Sequence, residues 1–129
     1  MNTQEINSAD WREFCEKFTE ASHGSLLTIE QTDSDGIRSD VVRDLPLDKM
    51  TLDTTDACTD VISFSLDSGP DQRKTNHLLI DPVYVRIKNE NGKKLLQIGA
   101  ENGVTFVTFH SGTFPQLILS DDRRYAIPS

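Results

Sequence analysis

Two Asn-Gly steps, Asn91-Gly92 and Asn102-Gly103, each stand between alternating apolar runs. Tight hairpin turns need positive φ at their central residues, and Asn and Gly accept it more readily than other residues. Leu78 to His110 therefore reads as three consecutive β-strands, and an antiparallel sheet becomes the frame into which the rest of the chain must fit.

One helix accompanies it. Across residues 8–22, Trp11, Phe14, Cys15, Phe18 and Ala21 fall on one stripe at 100° per residue, with Arg12, Glu13, Glu16, Lys17 and Glu20 opposite. Asn7 or Ser8 offers an N-cap, and Ile6 with Trp11 occupies the two positions of a hydrophobic staple. Gly24 suits the left-handed stop, and His23 beside it suits cationic capping of the helix C-terminus.

Strands are expected over most of 25–110. Ser25 to Gln31 and Ile37 to Arg43 flank an Asp33-Ser34-Asp35-Gly36 turn, and Leu45-Pro46-Leu47 is expected to interrupt the second of them. Further strands follow around Met50 to Thr55 and Val61 to Asp67. Ser68 to Asn76 reads as a long loop. Leu78 to Ile80 bends at Pro82 into Val83 to Lys88, followed by Leu95 to Ala100 and Val104 to His110. The last of these is apolar on both faces, so it is expected at the centre of the sheet. In the C-terminal segment 113–129, Pro115 to Ser120 reads as a short helix or edge strand and Asp121 to Ser129 as a tail.

The predicted fold class is therefore α+β, in a single domain spanning 1–129. A strongly curved, mostly antiparallel sheet or partly closed barrel of about seven or eight strands carries one N-terminal helix over its apolar face.

Charge narrows the functional classes. Residues 1–64 hold 5 Lys or Arg against 14 Asp or Glu, whereas residues 65–129 hold 8 against 7. An acidic half repels phosphates, so nucleic acid is not an expected partner. No apolar run approaches the roughly 20 residues a membrane span needs. Met1 to Asp10 lacks a signal-peptide pattern, and the chain has only two cysteines, Cys15 and Cys58, so the expected location is the cytoplasm with both thiols reduced. Oligomeric state leaves no trace in the sequence.

Motifs for chemistry are missing. Asp33 to Gly36 follows part of a calcium loop, but Gln31 and Val42 fill the two anchor positions where carboxylates are required. His23, His77 and His110 lack metal-ligand spacing, and there is no nucleophile elbow, phosphate loop or C-x-x-C. The expectation is no catalytic, cofactor or metal residue and no cofactor. One compact basic cluster does stand out in this acidic chain. Arg73, Lys74, Asn76 and His77 are the candidate contacts for a protein partner or its anionic group. A small-ligand site in a barrel mouth is the alternative, and an enzyme using distant residues such as His77, His110 and Asp81 is the third reading.

The Trp11-x-x-Phe14 helix, the His23-Gly24 stop, Leu45-Pro46-Leu47, and His77 with Ile80 and Pro82 ahead of two hairpins form an ordered pattern. It resembles the bacterial domain-of-unknown-function family numbered 5335, from about Asp10 to Leu117. The resemblance implies a small bacterial single-domain protein with no assigned activity, and it supplies no catalytic residue.

Overall fold

The computed structural model describes residues 3–33, 35–69, 71, 73–110 and 114–117. Strand β1 (Thr3–Ile6) leads through a 3₁₀ turn, Ser8–Asp10, into helix α1 (Trp11–Ser22). Seven strands follow: β2 (Leu26–Thr32), β3 (Arg38–Thr54), β4 (Asp60–Asp67), β5 (Lys74–Ile80), β6 (Tyr84–Glu90), β7 (Lys93–Ala100) and β8 (Gly103–Phe109). They form one open antiparallel sheet in the order β1-β6-β7-β8-β2-β3-β4-β5, with α1 packed against it. The class is α+β as expected. Of the two geometries expected for the sheet, it takes the open one. Its edges are β1 and β5.

The order is two meanders side by side, β6-β7-β8 and β2-β3-β4-β5. They join where β2 pairs β8 from Leu27↔Phe109 to Thr32↔Val104. This puts β8 at the centre, in keeping with its two apolar faces. Val107 points inward and is fully buried, while outward Phe106 is covered by the Arg38 guanidinium 3.8 Å from its ring centre. β1 escaped the sequence reading because Thr3 to Glu5 are exposed and carry no apolar alternation.

Leu45-Pro46-Leu47 does not interrupt a strand. It lies inside β3, where that strand changes partners: residues up to Pro46 pair with β2, and those from Leu47 onward pair with β4. A proline fits where one ladder hands over to another, because no donor is demanded of it there. Asp44, at φ 52°, makes the corner. A second corner has the same make-up. Asp81, at φ 53°, precedes Pro82 between β5 and β6, and Asp81 N–H donates to the Asp60 carbonyl at 2.9 Å. Two bends of this kind fold the sheet over itself, so inward residues of both arms share one core.

Helix α1 closes that core and also covers an edge. Trp11, Phe14, Cys15, Phe18 and Ser22 are buried, whereas Ala21, expected on the same stripe, is exposed. Phe18 meets Phe64 of β4 and Phe109 of β8 edge-on, at 6.4 and 5.8 Å between ring centres. The expected staple forms: Trp11 and Ile6 are both buried, and Trp11 Nε1 donates to the Ile6 carbonyl at 3.0 Å. Asp10, the residue at the N-cap of the helix, makes no side-chain capping bond. Asn7 instead starts the 3₁₀ turn without a side-chain bond. Because β2 leaves β3 at Pro46, the second half of β3 has a free edge, and α1 satisfies it. Arg12 Nη1 donates to the Leu52 carbonyl at 3.0 Å, and Met50 N–H donates to Thr19 Oγ1 at 2.9 Å. Beyond the helix, Gly24 N–H donates to the Leu47 carbonyl at 2.8 Å. His23 is drawn into the same seam. Its Nδ1 lies 2.8 Å from the Asp48 carbonyl, in place of the helix-end role expected of it.

Both Asn-Gly steps turn hairpins, in different ways. Asn91 and Gly92 have φ of 54° and 81°, the pair of positive values that a type I′ turn requires. At the second turn the positive φ falls on Gly103 alone, at 124°. Between these hairpins Gly99 is fixed by close approach, because a Cβ there would lie 2.3 Å from the ring of its cross-strand partner Tyr84.

Candidate interaction surface

The residues expected in a long loop, Ser68 to Asn76, are partly strand. β5 begins at Lys74, and its ladder with β4 runs from Asp67↔Lys74 to Val61↔Ile80. The reason is local. Lys74 to Ile80 alternates polar-outward with inward residues, but the first inward positions are Thr75 and His77, so an apolar count misses the period.

This change of element divides the candidate contacts. Lys74, Asn76, Leu78 and Ile80 are exposed on the outer face, while His77 and Leu79 are buried. His77 cannot contact a partner from that position. Its Nε2 lies 3.1 Å from Thr105 Oγ1 of β8, inside the fold, and burial lowers its pKa. Lys74 is held by Asp67 and by Asp48 at 3.6 Å, and the hydrogen bond to Asp67 raises its pKa above the ordinary lysine value. Arg73 precedes the strand, exposed, with Asp71 at 3.8 Å. Of the four, Lys74 and Asn76 share one surface.

Sequence reasoning overlooked the rest of that surface. Leu78 and Ile80 of β5 are 48 and 39% exposed and make an aliphatic strip in a chain of net charge −8; Val83, past the second corner, is 73% exposed. Beside the strip on β4 lie the outward-facing Val61 and Ser63, the cross-strand partners of Ile80 and Leu78. Strand pairing shows that Leu78 and Ile80 face away from the core.

β5 is also an edge. Hydrogen bonding in an antiparallel ladder alternates, and the Asp81–Asp60 bond places Leu79, His77 and Thr75 in phase with β4. Ile80, Leu78, Asn76 and Lys74 direct their backbone groups the other way. At one end these are taken up by the β7–β8 turn: Asn102 Nδ2 donates to the Leu78 carbonyl at 2.9 Å, Ile80 N–H donates to Asn102 Oδ1 at 3.2 Å, and Glu101 N–H donates to the Ile80 carbonyl at 2.8 Å. Among the described residues, the outward backbone groups of Lys74 and Asn76 and the N–H of Leu78 have no partner.

Residues named for an enzymatic reading stay in separate settings. His77 is inside. His110 Nδ1 lies 3.2 Å from Asp44 Oδ1 at the first corner, an exposed pair whose other neighbour, Thr28, donates its hydroxyl to Asp44 at 3.3 Å. Asp81 forms the second corner. Among the described residues, no three or more His, Cys, Asp or Glu side chains group so as to hold a metal ion, and no helix is long and apolar enough to cross a membrane.

Compared with known proteins, the chain matches no family model, no curated protein and no solved structure.

Proposed function

We propose that this is a non-catalytic protein that works by contact with another protein, receiving an extended segment of the partner along β5. The open edge of β5 is the observation that carries this reading. Strand addition needs unpaired backbone groups for affinity and alternate side chains for selectivity. Lys74, Asn76 and Leu78 offer the first, and the outward side chains of Leu78 and Ile80 the second. Two neighbouring stretches of edge are covered, the free half of β3 by α1 and the end of β5 by Asn102, and the other edge strand, β1, is only four residues long. Exposed edges invite pairing, and natural proteins blunt those they do not use. Cytoplasmic residence accords with the two free cysteines, and the acidic N-terminal half argues against a nucleic-acid partner.

The test uses Asn76→Pro, which removes an outward N–H without touching the β4 ladder, and Leu78→Asp, which places charge on the aliphatic strip. Protein captured from the native cell by the wild type is expected to be lost by both variants. In the purified complex, the amides of Asn76 and Leu78 are expected to gain protection from hydrogen exchange. Capture that survives both substitutions, or protection confined to other strands, overturns the reading.

A further inference from the structure

A second feature lies away from β5, at the end of the core that α1 does not fill. Ile6 of β1, Phe14 of α1 and Ile87 of β6, with Phe114 and Leu117, line a cleft of about 140 Å³. Its rim carries Gln4, Lys94 and Gln116. The register explains why polar groups arrive there. Gln4 pairs with Ile87, and Lys94 lies two residues from Leu96, the cross-strand partner of Ile87, so both rim residues occupy the inward face. A lysine on the inward face of a sheet is unusual, since burying its charge unpaired is costly. Here Lys94 is exposed and, among the described residues, its ammonium and both rim amides have no hydrogen-bond or ion-pair partner. Among the described residues no carboxylate lines the cleft, although the chain contains 21 acidic residues.

We propose that this cleft binds a small monocarboxylate with an apolar body, such as a six-carbon chain or a single aromatic ring. Size sets the body: about 140 Å³ is the volume that a benzene-sized group needs, and the Ile6, Phe14 and Ile87 side chains give it an apolar wall in an otherwise polar, open cleft. Charge sets the head. One ammonium and two neutral amides supply donors for a singly charged, planar acceptor. A phosphate dianion asks for more positive charge or an arginine fork, and the rim has neither. The carboxylate lies against Lys94, with the Gln4 and Gln116 amides as further donors, and the carbon chain points toward Phe14 and Ile87.

Titration of the ¹⁵N-labelled protein with hexanoate tests this directly. Saturable shifts are expected at the amides of Gln4, Ile87 and Lys94, with a Kd of about 1 mM, as suits a ligand of this few atoms. Hexylamine at the same concentrations is expected to leave them unmoved. Lys94→Ala is expected to weaken hexanoate roughly tenfold or more, the loss of one charge-assisted hydrogen bond. Ile87→Trp, which fills the floor, is expected to abolish binding while the dispersed spectrum shows the fold intact. Three results would each overturn the assignment: no saturable shift with hexanoate, equal shifts with hexylamine, or an unchanged Kd in Lys94→Ala. The last would make Lys94 only a solubilising charge at the sheet end.

Discussion

The side chain of Asn102 sits against Leu78 as a strand's backbone would. Its Nδ2 donates to the Leu78 carbonyl at 2.9 Å, and its Oδ1 accepts the next outward N–H, that of Ile80, at 3.2 Å. One amide thus joins the turn after β7 to the edge of β5, between strands that the sheet order places far apart. Gln31 Nε2 in turn donates to the Asn102 carbonyl. Asn102→Ala should remove two hydrogen bonds from this seam and cost about 1–2 kcal/mol in denaturant unfolding. A melt that overlays the wild type would mean that water replaces the amide without loss.

His77 makes stability depend on pH. Burial disfavours its charged form, so its folded pKa lies below the unfolded value near 6.5. Above that value the ring is neutral in both states and the contribution is fully present. As pH falls below 6.5, the unfolded chain takes up a proton that the folded chain refuses, and stability drops by up to about 1.4 kcal/mol per pH unit until the folded pKa is reached. His77→Gln keeps a neutral polar group beside Thr105. Between pH 7.5 and 5.5 it should lose less stability than the wild type; equal losses would show that His77 titrates freely in the folded protein.

The two thiols should react very differently. Burial pushes Cys15 up to about 12, well above an ordinary thiol. At pH 8 roughly one Cys15 in ten thousand is a thiolate, so only opening of the fold exposes it to alkylation. Cys58 is exposed in the turn before β4. Mass spectrometry after brief iodoacetamide treatment should find one adduct, at Cys58, and two adducts when denaturant is present. Equal labelling of both in the native protein would mean that α1 is not docked over the core.

What could be read in the sequence is what short stretches decide. A stripe of Trp11, Phe14, Cys15 and Phe18 has only one way to bury itself, and Asn91-Gly92 has a backbone preference that no distant residue supplies. The same holds for β8, where apolar residues on both faces required neighbours on both sides. Of the candidate surface, the sequence named Lys74 and Asn76 but missed Leu78 and Ile80. An apolar residue in a strand signals burial unless its partner strand is known, and Ser63 opposite Leu78 is the fact that places it outside.

Tertiary structure decided the rest, for a physical reason that recurs at each site. Pro46 breaks a strand when one ladder must continue through it. Here two ladders meet at that point, and the partners, Leu26 and Leu66, lie 20 residues away in either direction. β1 has no periodicity of its own and exists because β6 offers an edge. His77 is polar and lies inward because Thr105, 28 residues on, gives it a bond. Turn chemistry and helix amphipathicity are properties of adjacent residues, written in the chain. Ladder partners, edges and the satisfaction of buried polar groups depend on which distant segments meet, and only the folded sheet brings those together.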